Sequence, residues 1–462
     1  MKETIENPEI CFAHKKSVSM VNANVSILEE FSSIIRIVSA DSDLRKGFIS
    51  RPEFFCRDRK LRFDTVSFIV LNLLKKSLNV ELQSFFEKFD CDDIKPCSKS
   101  AFCQQRQKIK SSWFSFLLEY LSGIYYAQSK VVKRWKGYRL LSIDGSTSFL
   151  MNSKKVKEYY HESSNKYCSY PMARYMKMYD VLNGITLKAE MIKMNDSERL
   201  VSYEWVGSIP YDAITLFDRG FPSYCMFYLM ENSERSKFFV VRCKKTYNKK
   251  IQLFLSTDKE DDVVTFYPDE KAIKRLYENG YKVTKETALS LRVVKVKLKS
   301  GEDEILITNL MNSSDFTKQD IGDLYSKRWK IETDIAKEKN IFQLENYSAH
   351  TPNSIEQDFY ATFIAANLHQ IIGAGCEYKK KDKTTKKKYK YKINVSASIA
   401  TFKANLVNLF YSKDIEKLLL YLQHIFTKFF EPVRPNRSFG RLKRTNRRYG
   451  KHQTKTNYRN NM

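Results

Sequence analysis

The sequence predicts a mixed α/β protein, in which a core of strands and helices with a β-rich insertion follows a mainly helical N-terminal region. Three observations predict it. Two short apolar runs, YRLLSI (138–143) and YDAITLF (211–217), are each ended by an aspartate, Asp144 and Asp218, and read as buried strands with a carboxylate at the end. Between them RYMKMYDVLNGITLKAEMIKM (174–194) sets Asn183-Gly184 between two alternating segments, a hairpin signal. A helical stretch near 196–207 precedes the second aspartate strand, so strands, helix and strand follow one another as in a mixed sheet.

Taken in order, residues 1 to about 125 read as mostly helical. FDTVSFIVLNLLKKSLNVELQSFFEKF (63–89) has a long helical apolar pattern, closed near Pro96. Ser98 and the QQRQKIK that follows suggest a short basic helix with Gln105, Arg106 and Lys108 exposed, suited to a DNA groove or simply to solvent. Five runs look extended between 235 and 310: 236–245, 251–257, 262–268, 291–298 and 303–310. That is more than one crossover needs, so part of this block is an inserted sheet. Helix returns at 318–346, and again at 355–373 and 396–427. The lysine-rich 379–392 and the basic tail 434–462 need no packed core and can either track phosphates or stay solvated.

Composition narrows the partner. The chain of 462 residues is long enough for two to four domains, and 42% hydrophobic residues supply real cores. Eighty Lys plus Arg against 53 Asp plus Glu leave a net charge of +27, which favours a polyanion through counterion release. General use of lysine explains the same number, and charge does not separate DNA from RNA. Nine cysteines without a CxxC pair argue against a zinc ribbon or a disulfide framework and fit a reducing cytosol. The first ten residues lack a signal-peptide apolar run, and no segment has 18 uninterrupted apolar residues. A cytoplasmic, nucleoid-associated protein without membrane spans is the expectation.

The chemistry is sharpened by the third acid. Asp144 or Asp218 alone is equally well a turn residue. On the later helix, however, Tyr325, Arg328, Glu332 and Lys339 stand three, four and seven apart, roughly along one stripe, with Leu324, Ile331 and Ile335 on a neighbouring face. An acid among two bases and an aromatic hydroxyl can set a metal ligand among phosphate-binding groups, or be a surface helix laced by Arg328–Glu332 pairing.

These segments resemble the IS4 family of bacterial insertion-sequence transposases. WKGYRLLSIDGS (135–146) resembles the family's first-aspartate region and TLFDRGF (215–221) its second. YSKRWKIETDIAKEK (325–339) fits its signature of Tyr, two residues, Arg, three residues, Glu, six residues, Lys. The resemblance implies an RNase H-like DDE catalytic domain with a β-rich insertion, at 131–375 with the insertion near 236–310. A helical DNA-binding region at 1–130 and a basic helical region and tail at 376–462 would flank it. It implies Asp144, Asp218 and Glu332 as catalytic, metal-holding carboxylates, and Tyr325, Arg328 and Lys339 as residues positioning DNA. It further implies two Mg²⁺ ions, with Mn²⁺ able to substitute. The partners implied are duplex DNA at terminal inverted repeats, target DNA, and a second copy of the chain in a synaptic complex. Cut-and-paste transposition is the activity expected, against a stand-alone metal nuclease or a noncatalytic DNA-binding protein. Arg219 reads as a salt-bridge partner, and Trp329 as a base-stacking or packing residue.

Overall fold

In a computed structural model, residues 8–434 are described apart from 58, 73–75, 89–96, 130, 165–168, 299, 375 and 377–388. The chain begins with helices: α1 (Pro8–Ala40), α2 (Ser42–Lys46), α3 (Phe63–Leu71), α4 (Leu78–Phe86), α5 (Lys99–Gln107) and α6 (Ser111–Gln128). The pattern at 63–89 is thus two helices, because α3 is buried on every side while α4 buries one face. Ser98 caps α5 as its sequence suggests, its hydroxyl accepting from the Ala101 amide.

Arg106 corrects an expectation. It is 2% exposed rather than free for DNA, donating to Gln357, Ser348, Ser354 and Asp358 at 2.6 to 2.8 Å. A buried guanidinium must be paired to be tolerated, and this one ties α5 to a distant helix.

The sheet follows. Its strands are β1 (Arg139–Phe149), β2 (Glu162–Ser164), β3 (Ser169–Asp180), β4 (Ile185–Lys193), β5 (Ala213–Phe217), β6 (Phe238–Cys243), β7 (Asp261–Phe266), β8 (Leu289–Lys297) and β9 (Asp303–Thr308). β3 and β4 form the hairpin announced by Asn183-Gly184, with Gly184 at φ 74°. Helix α7 (Lys154–Tyr160) precedes β2, α8 (Glu198–Glu204) precedes β5, and α9 (Tyr224–Glu231) links β5 to β6. The order β4-β3-β1-β5-β6, with β3 antiparallel and β5 parallel to β1, is that of an RNase H-like core.

The insertion holds β7, β8 and β9, with helices α10 (Lys249–Leu255) and α11 (Glu270–Glu278). Its strands extend the same nine-stranded sheet, because β9 pairs antiparallel with β6. The run at 251–257 is helix, not strand: Asn248 caps it through the Ile251 amide, and Ile251 and Phe254 are buried while Leu253 is exposed.

Helices cover both faces of the central strands β1, β5 and β6, which is why these are apolar on both sides. On one face Leu141, Ile143, Phe239 and Val241 pack with α8, α9 and the insertion helices. On the other, Leu140, Ile214, Leu216 and Val240 receive α12 (Lys318–Ser326) and α13 (Trp329–Asn340). These two replace the single helix expected at 318–346, since the Arg328 and Ile331 amides bond three residues back and tighten the junction.

The described residues end with α14 (Pro352–Gly373), β10 (Lys390–Ile393), α15 (Val395–Tyr411), α16 (Ile415–Lys428) and β11 (Phe430–Val433). Asp414 caps α16 and divides the helix expected at 396–427. α14, α15 and α16 share one apolar core with the N-terminal helices. Of the lysine-rich stretch only 389–392 is described, within or beside β10, while Pro96 and tail residues 435–462 lie outside the described residues. Among the described residues no helix is long and apolar enough to cross a membrane.

Candidate active site

Parallel register builds the floor of the site. Ile143 pairs with Phe217 and Phe217 with Val241 at the last registered positions of β1, β5 and β6. The next residue on each strand is therefore Asp144, Asp218 and Arg242, side by side where the parallel pairing ends, the edge at which open α/β sheets bind ligands. Asp144 is not at a strand end as its sequence suggests: β1 runs on to Phe149 against β3, pairing Asp144 with Lys177. Only the pairing with β5 stops there, which frees one side of the aspartate. Gly145 follows in a tight place: a Cβ there would lie 2.8 Å from the Glu198 side chain and 3.0 Å from the Met176 sulfur, so those flexible side chains would have to move.

The helices supply the rest. A capping box of Thr317 and Asp320 starts α12, which delivers Tyr325 to the end of β5. The Tyr325 hydroxyl donates to the Phe217 carbonyl at 3.2 Å, so it holds the backbone just before Asp218, and the ring is buried. After the tightened junction, α13 sets Glu332 in its first turn, where the helix dipole favours a carboxylate.

Arg328 joins the acids. Its guanidinium is 2.8 Å from Glu332, 3.4 Å from Asp144 and 3.9 Å from Asp218, and the residue is 6% exposed. Burial pushes the Asp144 carboxyl up to about 6; the Asp218 and Glu332 charges add to this, and the Gly145 amide and Arg328 oppose it. Lys339 sits further along β1, its ammonium 2.5 Å from the Thr147 carbonyl and 3.8 Å from Glu345. Thr147 is three residues past Asp144, or about 10 Å along the strand. The structure thus gathers Asp144, Asp218, Glu332, Arg328 and Tyr325 at one point, with Lys339 flanking. Trp329 is 56% exposed beside them, and Arg219 is exposed on the turn after Asp218.

Two further residues belong to this neighbourhood. Arg242 completes the strand row and pairs with Glu304 of β9 at 3.3 Å. Burial raises the Glu304 carboxyl above its usual range, and the Asp218 charge adds to it. The signal for Arg242 was present in the sequence: FFVVR is a third apolar run ended by a charge, after LLSID and AITLFD.

Three carboxylates are the oxygen donors a hard divalent cation takes, so the residues fit such an ion in kind. Among the described residues no three acidic, histidine or cysteine side chains already enclose a cation position. The positive charge between the acids is that of Arg328.

Two aspartates on adjacent parallel strands, facing a glutamate on a covering helix over an RNase H-like sheet, define a DDE-type domain. Residues 135–368, just over half of the chain, match the Transposase DDE domain family, and the chain belongs to that family. The chain is 22% identical over 246 residues to the Escherichia coli K12 transposase InsG for insertion sequence element IS4, covering 52% of this chain and 53% of that protein. It is 26% identical over 129 residues to InsZ of the same organism, covering 27% and 43% respectively. The matched region thus spans about half the length of these relatives. A piggyBac transposase synaptic complex with hairpin DNA aligns with 90% of this chain and 87% of its own at a TM-score of 0.42 and 11% identity, a likeness too loose to support an inference.

Proposed function

We propose that this chain is a cut-and-paste DNA transposase, which cleaves the ends of its element by metal-dependent phosphodiester hydrolysis and joins the 3′-OH to target DNA. The observation that carries the reading is the convergence of Asp144, Asp218 and Glu332 on one guanidinium where the parallel pairing ends. Asp144, Asp218 and Glu332 would hold two Mg²⁺ ions, or Mn²⁺ in their place. Bound there, the ions supply Lewis-acid activation of the attacking hydroxyl and charge neutralisation at the leaving 3′ oxygen.

The protein's own groups do the positioning. Arg328 is a rigid fork that can take a phosphate in exchange for its carboxylates, and Arg242 offers a second guanidinium on the same row. Tyr325 holds the Phe217 carbonyl and so fixes the backbone that presents Asp218. Lys339 is a point charge further along β1, placed for a neighbouring phosphate. The net charge of +27 supports a polyanionic partner; duplex DNA at terminal repeats and target is the partner this reading assigns, and bringing two ends together calls for a second copy of the chain.

The test is Mg²⁺-dependent cleavage and joining of duplexes carrying the element's ends, by this chain and by Glu332→Ala. Cleavage and strand transfer by the first and neither by the second is the expected result. Cleavage that never leads to joining supports a nuclease instead, and equal activity in both proteins removes the active-site assignment.

A further inference from the structure

The buried face of α13 is unusual for a packing helix. Its fully buried residues are Ile331, Asp334 and Glu338, so two of three anchors are carboxylates. Both meet one lysine: the Lys177 ammonium is 2.6 Å from Asp334 and 2.5 Å from Glu338, and Lys177 is 0% exposed. Lys337 adds a second cation 2.5 Å from Asp334, and the Tyr179 ring lies 4.4 Å from the Lys177 ammonium.

The location of this cluster gives it meaning. Lys177 is the cross-strand partner of Asp144, so the two side chains stand on the same face of the sheet at the same level. Asp334 is two residues after Glu332 on the same helix. One strand pair therefore presents Asp144 to the start of α13 and Lys177 to its middle.

Apolar contact is non-directional and by itself sets a helix's register only loosely. Short charge-assisted hydrogen bonds to carboxylates about one turn apart set it closely, because a shift of one residue moves the helix by about 1.5 Å and rotates both acceptors away. Apolar residues of similar volume would stabilise the fold as well as a buried ion cluster does, or better. The cluster's distinctive contribution is register.

We propose that Lys177, Asp334 and Glu338 are positioning residues that lock α13 against β3 and thereby align Glu332 with Asp144; the inference rests on the reading of Glu332 as a metal-holding carboxylate. They touch neither DNA nor metal and act through Glu332.

Two variants test this with Mn²⁺ as the probe. Asp334→Glu keeps every charge and lengthens one arm by a methylene. K177M/D334N/E338Q removes the three buried charges together and leaves only Lys337, whose side chain reaches solvent, without its carboxylate. For each, thermal melting, binding to an end-bearing duplex, Mn²⁺ binding to the DNA-free chain by electron paramagnetic resonance, and the Mn²⁺ dependence of cleavage are measured beside wild type and Glu332→Ala.

The expected result is melting within about 4 °C of wild type and unchanged duplex binding. Mn²⁺ affinity and the cleavage midpoint should both weaken about tenfold, as when groups supporting metal ligands are altered. Wild-type Mn²⁺ affinity in either folded variant, with Glu332→Ala impaired, overturns the clamp and leaves the active-site reading standing. Wild-type Mn²⁺ affinity in Glu332→Ala overturns both. Should the triple variant not fold, the charge-preserving Asp334→Glu decides alone.

Discussion

The guanidinium of Arg328 lies 2.8 Å from the carboxylate of Glu332, one helical turn along, and is nearly sealed from solvent. The same group faces Asp144 and Asp218, so a single positive charge serves three acids. A divalent cation and Arg328 then compete for the same carboxylates. Replacing Arg328 by Met should destabilise the metal-free chain and enlarge the rise in melting temperature on adding Mg²⁺. Cleavage should fall by on the order of a hundredfold or more, the size of effect seen when one transition-state donor is removed. Calorimetry with and without Mg²⁺ checks the first part, and an unchanged Mg²⁺ response would remove the idea of competition.

Alanine at Asp144, Asp218 or Glu332 should reduce cleavage by on the order of a thousandfold or more, while binding to end-bearing duplex persists. Groups acting as one unit lose most of their effect at the first deletion, so the double variant Asp144→Ala/Glu332→Ala should be scarcely worse than either alone. Gel-shift and cleavage assays on the same preparations separate binding from chemistry.

Arg242, aligned with the two aspartates, should behave as a phosphate contact. Arg242→Ala is expected to weaken duplex binding and to lower the slope of log affinity against log salt by about one unit. Glu304→Gln keeps an acceptor for Arg242 and should change binding little. A salt slope unaltered in Arg242→Ala would return that residue to a purely structural pairing with Glu304.

Arg106 should matter for stability and not for DNA. Its removal leaves Asp358 buried without its guanidinium partner, a loss of about 3–5 kcal/mol. Denaturant unfolding of Arg106→Ala measures that loss. The salt dependence of duplex binding by the folded fraction should match wild type.

His369 sets an acid limit on the fold. It is buried in α14, with its ring nitrogen 2.8 Å from the Ser398 hydroxyl, and burial, aided by the Lys337 charge, holds its pKa down to about 3. The unfolded chain binds this proton below about 6.5, whereas the folded chain does not until about 3. The stability involved is therefore complete above about pH 6.5 and is lost as pH falls toward 3, at up to about 1.4 kcal/mol per pH unit. His369→Gln should flatten the pH dependence of the melting temperature between 6.5 and 4. A wild-type slope in that variant would mean that other groups carry the acid sensitivity.

Much of this architecture is legible in residue order, for identifiable reasons. Apolar runs and the Asn183-Gly184 turn announce β1, β3, β4 and β5, because strand alternation and turn chemistry are local. Asp144, Asp218 and Glu332 can be named only through the resemblance of their motifs to a known family, since either aspartate alone is equally well a turn residue. The run at 251–257 misleads, since seven mostly apolar residues suit strand or helix and the Asn248 cap decides. Arg106 misleads for another reason: a basic residue on a short polar helix reads as exposed until a distant helix supplies its partners.

Sequence alone determined the strands that carry the two aspartates, the helix that carries the glutamate, and the excess of positive charge, all properties of neighbouring residues or of composition. Tertiary structure decided that Asp144, Asp218 and Arg242 form one row, that Arg328 sits among the acids, and that Lys177 meets Asp334 and Glu338. Arg328 and Asp144 are separated by 184 residues along the chain, and Lys177 and Asp334 by 157. No local periodicity carries such distances. Parallel strand register and the docking of α13 set them, and both depend on burying two faces of one sheet at once.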